Sequence, residues 1–386
     1  MARFAVVVVG YNRVSGIERL SGMLDKAIYD EPVDLIFSID NSGVETVVEF
    51  AKKFEWNHGE KKVRTFEKRQ GLKKHILQCG KFLEKYDAIA VLEDDVVVSR
   101  YYFKYMKAAY EQYGTDMDIA GVSLYAYGRN VLCGESFTPA YTGYDVYFMK
   151  FAQSWGQVWF KKQWKEFTAW LQEKDNQNLA SNDFPEYVSS WAETSWLKYH
   201  IRYCFEKNKY FVYPYVSFSS CFSDAGEHTH KQSNLLQVPL AEGWNSEFKF
   251  PSFENDLAVR YDTFFEREGL EKYLQTDDKI CADIYGVKKE FNARYILSSQ
   301  VLNYKCIKSF GLNIRPHENN AIYEIAGEMI YLYDATKPEK SSSKISDKAR
   351  RVARFKYYYN LYSNGKEQIE TILDKILEQV RSLFVR

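Results

Sequence analysis

"DAIAVLEDDVVVSRYYFKYM", residues 87–106, places three consecutive carboxylates, Glu93, Asp94 and Asp95, between an apolar run and a β-branched one. The apolar run predicts a buried strand that ends at these carboxylates, called here the acidic triplet, and the next stretch predicts a helix that begins near Ser99. Three adjacent negative charges repel one another, and burying them without a cation is costly. The acidic triplet is therefore either a solvated turn at a helix start or a site for a cation.

The chain before this strand alternates between strand and helix patterns. RFAVVVV (3–9), VDLIFSID (33–40) and KKVRTFEK (61–68) read as strands, and the stretches between them carry helical spacing. This alternation predicts an α/β fold with a doubly wound, mostly parallel sheet flanked by helices. In such sheets ligands bind outside the carboxyl ends of the strands. Arg13, Asp40 and the acidic triplet should then share one rim.

Composition excludes several classes of protein. The chain has 386 residues, 46% of them hydrophobic, and its 52 basic and 52 acidic side chains cancel, so there is no field of the kind that marks a general nucleic-acid binder. Six cysteines without a CxxC pair indicate reduced thiols rather than a zinc site or a disulfide framework. The N-terminal apolar run is too short for a signal peptide or a membrane span, so we expect a cytoplasmic protein.

Four regions differ in composition and periodicity. Residues 1–115 carry the strand and helix alternation, and residues 116–240 are rich in Trp and Tyr and less periodic, as expected for a mixed α/β substrate half. Residues 241–335 alternate loops with short periodic stretches, which indicates a C-terminal extension. Residues 336–386 read as a basic linker and an amphipathic helix, a C-terminal helical appendage.

The basic stretch 337–359 holds eight Lys and Arg residues against two acidic ones. Followed by an amphipathic helix, it suits peripheral docking on the anionic inner face of the cell membrane. The alternative is a helix that packs on the catalytic domain or on a second copy of the chain as a homo-oligomer, since its polar face is mixed in sign. Both interpretations stay open.

Carboxylate ligands without cysteine select hard cations. Mg²⁺ and Mn²⁺ are held by one or two carboxylates and complete their coordination with water and phosphate oxygens. A cation at the acidic triplet would therefore be suited to bind a diphosphate.

The order VVVVGYNR, LIFSIDNSG, VLEDDVVVS, FMKFAQSWGQVWF, WAETSWLKYH and FSSCFSDAGEHTH resembles the GT-A-fold glycosyltransferases. The likeness is to bacterial family-2-like enzymes and, more distantly, to eukaryotic N-acetylglucosaminyltransferase I, and it covers roughly residues 3–235. It implies a GT-A-type fold and a metal-dependent hexosyl- or N-acetylhexosaminyltransferase. Such an enzyme moves a sugar from a nucleotide-sugar donor, a UDP-sugar, to a glycan or lipid-linked saccharide acceptor with inversion, as in polysaccharide biosynthesis.

The resemblance also assigns roles on the donor side. It implies that Asp95 binds the metal, that Glu93 and Asp94 support the ribose and the metal-bound waters, and that Arg13 and Asp40 contact the nucleotide. Taken alone, Asp40 fits the Asx-turn of DNSG equally well, and Arg13 fits a surface salt bridge.

A cationic stretch, RQGLKKHI (69–76), lies between the second and fourth strands. In the relatives a helix from this region lines the nucleotide pocket. Arg69 is therefore expected to contact phosphate or ribose, and an ordinary solvated helix face is the alternative for Lys73 and Lys74.

SWGQVWF resembles the family segment that forms the floor of the sugar site. Trp155 and Trp159 are candidates to stack on sugar rings, and Gly156 would let the backbone approach a ligand. The alternative is that both indoles belong to the core.

An inverting transferase needs a base for the acceptor hydroxyl. WAETSW occupies the place of the family's Trp-Asp-Asp stretch, which makes Glu193 the first candidate, although the family's aspartate is replaced. Asp183 and Asp224 are the reserves. Glu193 also fits the first turn of a helix without any catalytic role.

FSDAGEHTH matches the Gly-x-x-His loop of the family, whose histidine completes the metal site or touches the diphosphate. His228 fits the spacing better than His230. An imidazole ligand favours Mn²⁺ over Mg²⁺, so Mn²⁺ is the expected cofactor and Mg²⁺ the alternative. Histidines without a ligand are the other interpretation.

Other functions are weighed on the same residues. A sugar-1-phosphate nucleotidyltransferase would need a Gly-rich loop after the first strand, which VVVVGYNRVSG lacks, and a haloacid-dehalogenase-like phosphatase would need DxDxT where SIDNSG has one aspartate. A non-catalytic carbohydrate-binding or scaffold protein would keep the aromatic residues without the converging charges. The sequence therefore favours the transferase.

Overall fold

The computed structural model describes residues 2–174, 177, 179–224, 232–244, 246–341, 354, 369, 373 and 376. The strands are β1 (Phe4–Gly10), β2 (Val33–Ile39), β3 (Lys61–Thr65), β4 (Ala88–Glu93), β5 (Val96–Val98), β6 (Ile119–Ser123), β7 (Val146–Met149), β8 (Gln157–Phe160), β9 (Tyr210–Pro214), β10 (Ser219–Cys221), β11 (Arg260–Tyr261), β12 (Ile280–Asp283), β13 (Tyr295–Ser298), β14 (Tyr304–Phe310) and β15 (Ile330–Pro338).

Helices lie in about half of the connections between these strands. The α-helices are α1 (Val14–Asp25), α2 (Glu45–Lys53), α3 (Leu72–Cys79), α4 (Tyr102–Tyr113), α5 (Lys161–Lys174), α6 (Glu186–Ser189), α7 (Trp196–Lys207) and α8 (Asn319–Ile322), and 3₁₀ turns span Gly80–Glu84 and Leu270–Lys272.

The described residues build one nine-stranded sheet in the order β11-β7-β9-β6-β8-β4-β1-β2-β3. β3, β2, β1 and β4 are parallel neighbours. β8 runs antiparallel between β4 and β6, β9 is parallel to β6, and β7 is antiparallel to β9. The doubly wound, mostly parallel sheet flanked by helices that the sequence predicts is confirmed.

β1 shows why both faces of the sheet are covered. All seven of its residues are buried. Phe4, Val6 and Val8 join a core with α1, α2 and α4, whereas Ala5 and Val7 join a second core with α3, α5 and α7. A strand with apolar side chains on both faces is typical of a parallel sheet between helix layers, and it places the rim above both layers.

Several predicted boundaries shift. The stretch SGIERLSGMLDKAIYD (15–30), whose apolar spacing predicts a helix, is helical only as far as Asp25, and the similar stretch GLKKHILQCGKFLEKY (71–86) continues past Cys79 only as a 3₁₀ turn. Val96–Val98 forms a short antiparallel pair with β10 instead of leading directly into a helix. That pair belongs to a separate two-stranded sheet above the main one.

A smaller sheet follows in the region predicted as a C-terminal extension. Its order is β12-β13-β15-β14, and its own apolar cluster includes Leu270, Leu297 and Phe310. β11, from the same region of the sequence, pairs with β7 in the main sheet.

The predicted linker and amphipathic helix at 336–386 lie mostly outside the described residues. Ile369, Leu373 and Ile376 are helical and exposed. Across the ranges given above, the chain contains no helix with the length and apolarity that crossing a bilayer requires. All six cysteines are described and are free thiols.

Candidate functional site

The rim predicted from the sequence is built by three neighbouring strand ends. β1 pairs with β2 on one side and with β4 on the other, so that Val9 lies opposite Glu93 and Gly10 opposite Ile39. The residues that follow each strand emerge at the same edge of the sheet. Arg13, Asp40 and the acidic triplet lie there.

The acidic triplet forms a tight turn between two elements. Glu93 ends β4, and Asp94 and Asp95 turn into β5. A Cβ atom on Gly16 would lie 2.5 Å from the Asp94 carbonyl oxygen, so α1 packs directly on the turn. On the other side, the Phe222 N–H donates to the Asp95 carbonyl at 2.7 Å. The backbone of the triplet is therefore held between α1 and the end of β10.

Arg13 is the principal cation beside the triplet. Its guanidinium forms an ion pair with the buried Asp94 carboxylate and lies 3.8 Å from the Asp95 carboxylate, which is 33% exposed. We find no ion pair or hydrogen bond to the Glu93 carboxylate within the described part of the chain. One arginine thus serves two of three adjacent carboxylates.

This imbalance perturbs the acidity of the triplet. Burial, reinforced by Asp95 and Asp94, raises the pKa of Glu93 to about 8. Burial also raises the pKa of Asp94 to about 6 against the opposing effect of Arg13, and it raises the pKa of Asp95. Full ionisation of the three carboxylates is therefore unfavourable in this turn, and a bound cation would favour it.

The donor set is compatible with a hard divalent cation, but only in part. Glu93 and Asp95 offer carboxylate oxygens of the kind that Mg²⁺ and Mn²⁺ prefer. Among the described residues, no three or more His, Cys, Asp or Glu side chains converge as a metal site. His228 and His230 lie outside the described residues. Asp95 and Glu93 are thus the described groups that fit a metal.

The Asp40 carboxylate accepts hydrogen bonds from the next residue and from the segment that leads into α3. Its Oδ1 accepts from the backbone N–H groups of Asn41 (2.8 Å) and Gln70 (2.7 Å), and its Oδ2 accepts from Gly71 N–H at 2.9 Å. The Asx-turn of DNSG is made by Asn41, whose Oδ1 accepts from the Gly43 N–H at 3.1 Å, so the Asx-turn interpretation of Asp40 is wrong. Because a carboxylate oxygen has two lone pairs, Oδ2 retains capacity for one further donor.

The predicted cations of the 69–76 stretch separate in space. The exposed Arg69 guanidinium lies 4.9 Å from the centre of the Tyr11 ring, on the same rim. The Lys73 ammonium lies 3.8 Å from the centre of the Tyr199 ring in α7, and Lys74 is exposed. His75, by contrast, is buried beneath the rim.

His75 belongs to a polar network that the sequence did not reveal. The Arg64 guanidinium donates to Ser38 Oγ through Nε (3.1 Å) and Nη2 (2.7 Å), and Ser38 Oγ lies 2.6 Å from His75 Nε2. Since both Ser38 lone pairs accept from Arg64, the hydroxyl proton goes to His75, which must be the neutral Nδ1–H tautomer. Burial lowers the pKa of His75 to about 4; the Arg64 charge adds to this effect, and the Asp40 charge opposes it.

Ser38 and Asp40 lie on the same face of β2, two residues apart, and they bind α3 at His75 and Gly71, one helical turn apart. The network thus fixes α3 on β2 beneath the rim. The signal in the sequence was the polar Ser38 within an otherwise apolar strand.

The two indoles of SWGQVWF have different environments. Trp159 lies in the core, 1% exposed, and stacks on Trp164 with ring centres 4.1 Å apart, so the expectation that it stacks on a sugar is wrong. Trp155 is partly exposed beside Tyr125, at 5.0 Å between ring centres. Gly156 between them has φ +96°, a conformation that glycine adopts without strain.

The three candidate bases also differ. Glu193 is 59% exposed, accepts hydrogen bonds from Lys198 Nζ and Tyr199 OH at 2.6 Å each, and has its pKa lowered by these two donors. Asp224 pairs with Arg19 at 2.8 Å, just after β10. Asp183 is exposed.

Glu193 precedes α7, whose first residue, Trp196, is buried and lines a gap too small for a water molecule together with Glu93, Ile76 and Ser154. The start of α7 is thus the described element that joins the loop of Glu193 to the acidic triplet.

The chain matches no family model and no curated protein. Among solved structures it is similar to S. aureus TarS in complex with UDP-GlcNAc, at 15% identity and TM-score 0.35, over 59% of this chain and 60% of that one. It is also similar to the mannosyltransferase PcManGT from Pyrobaculum calidifontis in complex with GDP-Man and Mn²⁺, at 16% identity and TM-score 0.30, over 44% and 46% of the two chains.

A third similar structure is GalNAc-T7 with UDP, GalNAc and Mn²⁺, at 14% identity and TM-score 0.37, over 55% of this chain and 42% of that one. The chain therefore spans less than two thirds of each of these proteins. The chemistry assigned to the site rests on the side chains described above.

Proposed function

We propose that the protein is a glycosyltransferase that moves a sugar from a nucleotide-sugar donor, a UDP-sugar, to a glycan or lipid-linked saccharide acceptor with inversion. The observation that carries this proposal is the meeting of Arg13, Asp40 and the acidic triplet at three neighbouring strand ends. The buried carboxylates of the triplet, which have too few cationic partners, suit a metal cation. The Arg13 guanidinium suits a diphosphate, and the Asp40 carboxylate suits a nucleoside.

Different residues of the rim would bind different parts of the nucleotide. Asp40 Oδ2 is available to accept from the N3–H of a uracil ring. Arg69 and Tyr11 would flank the base or ribose, and Arg13 would turn part of its charge from the acidic triplet to the diphosphate. This division is consistent with Asp40 being held rigidly by three backbone donors.

A divalent cation, Mn²⁺ or Mg²⁺, would be held by Asp95 and Glu93, with His228 as a further ligand, and would neutralise the charge of the departing diphosphate. Asp94 stays with Arg13 in this arrangement and keeps the turn in place. The raised pKa values of Glu93 and Asp95 support the assignment, because a cation would favour their ionised forms.

Glu193 is the proposed base for the acceptor hydroxyl. Lys198 and Tyr199 hold its carboxylate ionised, in a fixed position and still open to solvent. Their hydrogen bonds also make it a weaker base, since a base works best with a pKa near the operating pH. Asp224, paired with Arg19, is the first reserve and Asp183 the second.

The base can be assigned by comparing Glu193→Gln, Asp224→Asn and Asp183→Asn. The true base should lose at least 100-fold in kcat while UDP affinity stays within about threefold. Equal activity of Glu193→Gln and wild type would remove Glu193 from the role.

The decisive experiment is calorimetric titration of UDP with and without Mn²⁺. We expect binding that requires the metal, followed by metal-dependent hydrolysis of one member of a panel of UDP-, GDP- and CMP-sugars. Absence of nucleotide binding in the presence of Mn²⁺ would refute the transferase and leave a carbohydrate-binding protein as the alternative.

A further inference from the structure

A partly exposed aromatic pair stands beside Glu193. Tyr187 in α6 is 50% exposed, and its ring meets the partly exposed Trp191 ring at 82°, with 5.6 Å between centres. Two residues later, the Glu193 carboxylate is 59% exposed. Tyr187, Trp191 and Glu193 are called here the aromatic corner.

The aromatic corner is held in place from below. Lys198, only 3% exposed, donates from Nζ to the Trp191 carbonyl at 3.0 Å and to the Glu193 carboxylate at 2.6 Å. Tyr199 OH donates to the other Glu193 oxygen at 2.6 Å. One buried ammonium thus ties the backbone of the aromatic residue to the carboxylate, so that the corner is ordered before any ligand binds, which lowers the entropic cost of binding.

The chemistry of the corner restricts its ligand. An aromatic face packs against the apolar C–H face of a sugar ring, and a fixed carboxylate accepts hydrogen bonds from sugar hydroxyls. Glu186 and Glu193 are each paired with a lysine, Lys289 at 2.8 Å and Lys198 at 2.6 Å, so these two lysines are already engaged and do not form a phosphate site. Two aromatic side chains offer far less than the roughly 800 Å² per partner that a stable protein interface buries. The charged residues beside them make the surface unsuitable for a lipid.

The position of the corner relates it to the donor rim. Trp196, which lies across a small packing gap from Glu93, follows Trp191 by five residues, so the Cα atoms of Trp191 and Trp196 lie at most about 18 Å apart. A short oligosaccharide can span that distance.

We propose that Tyr187 and Trp191 form a binding subsite for a sugar ring of the acceptor, which makes the acceptor an oligosaccharide rather than a lone hydroxyl on a protein or lipid. This inference rests on the proposed function. Donor binding does not involve the corner, so the two can fail separately.

The test uses the full chain with Tyr187→Ala, Trp191→Ala and the double variant. Tyr323→Ala, which removes an aromatic residue that is 67% exposed and follows α8, is the matched control. Calorimetry is run with UDP plus Mn²⁺ and with a panel of trisaccharides of glucose, galactose, mannose and N-acetylglucosamine in α and β linkages.

We expect at least one trisaccharide to bind wild type and to lose at least tenfold in affinity in the double variant. Tyr323→Ala should match wild type, Trp191→Phe should retain affinity within about threefold, and UDP affinity should stay within twofold throughout. A melting temperature equal to that of wild type shows that the variants fold.

Two results would overturn the inference: no trisaccharide binds wild type, or the double variant binds as wild type does. Absence of UDP binding with retained, corner-dependent trisaccharide binding would instead refute the transferase and leave the subsite standing.

Discussion

The acidic triplet and the aromatic corner present carboxylates in opposite electrostatic states. At the triplet, burial and like charges raise the pKa values of all three groups, and one arginine serves two of them. At the corner, Glu193 is mostly exposed, and Lys198 and Tyr199 lower its pKa. The carboxylates of the triplet need a bound cation to be fully ionised. The Glu193 carboxylate is already ionised by its own partners and can accept hydrogen bonds from a ligand.

The largest effect expected from this contrast is at Asp95. Asp95→Ala should abolish sugar transfer and metal-dependent UDP binding, because it removes a partly exposed carboxylate that is proposed to hold the metal. Stability should be unchanged or higher, since a repulsive charge is lost. Activity assays and calorimetry measure the first effect, and thermal melting measures the second.

Glu49→Gln on α2, which changes an exposed carboxylate in a surface pair, is the control and should match wild type. If Asp95→Ala unfolds the protein instead, the triplet is a structural turn.

The Arg13–Asp94 pair should show the largest effect on stability. Arg13→Met leaves Asp94, 8% exposed, without its partner and should lower the free energy of unfolding by about 3 kcal/mol, near the lower end for buried pairs because Arg13 is itself partly exposed. Urea unfolding at pH 7 measures the loss.

Adding Asp94→Asn to Arg13→Met should recover at least half of that loss, because the unpaired charge is then gone. Equal stability of Arg13→Met and wild type would mean that the pair contributes nothing.

His75 predicts a pH dependence. Its pKa is about 4 in the folded protein and about 6.5 unfolded, so between these values the unfolded chain binds more protons and stability falls as pH falls. The shift corresponds to about 3 kcal/mol lost between pH 6.5 and 4. His75→Gln should remove that part of the slope, measured by urea unfolding across this range.

His200 and His317 are also buried, with pKa values of about 3 and 4, so a slope remains in His75→Gln. A slope unchanged in His75→Gln would contradict the burial of His75 as a neutral imidazole with a lowered pKa.

The smallest expected change in stability is at Glu193. Glu193→Gln should lower the free energy of unfolding by about 1 kcal/mol, because the Gln oxygen can still accept from the buried Lys198 ammonium although its counter-charge is lost. A loss of several kcal/mol on urea unfolding would show that Glu193 supports the start of α7 rather than faces a ligand, which would erase the contrast between the two regions.

The sequence predicts most of the parallel half of the sheet because its signals are local. The apolar run before Gly10 and the strand before Glu93 are contiguous patterns, and their order alone brings Arg13, Asp40 and the triplet to one edge. What it does not predict is set by contacts distant in sequence. β5 pairs with β10 across more than 120 residues, and β8 runs antiparallel because of its neighbours β4 and β6.

The candidate site divides in the same way. The cations of the 69–76 stretch look equivalent in sequence, yet Arg69 lies on the rim and His75 beneath it. Trp155 and Trp159 are four residues apart in one motif, but only Trp155 is partly exposed. No local pattern indicates that Lys198 is buried and holds Glu193, because a lysine in an amphipathic helix ordinarily faces water.

Gly16 lets α1 approach the backbone of the acidic triplet more closely than any residue with a side chain could, because a Cβ atom there would lie 2.5 Å from the Asp94 carbonyl oxygen. The helix therefore prevents the backbone of the turn from moving toward α1 when a ligand binds to the carboxylates. A single methyl group at this position would move the triplet without changing any charge. Gly16→Ala therefore tests whether the proposed activity depends on the position of the carboxylates and not only on their presence.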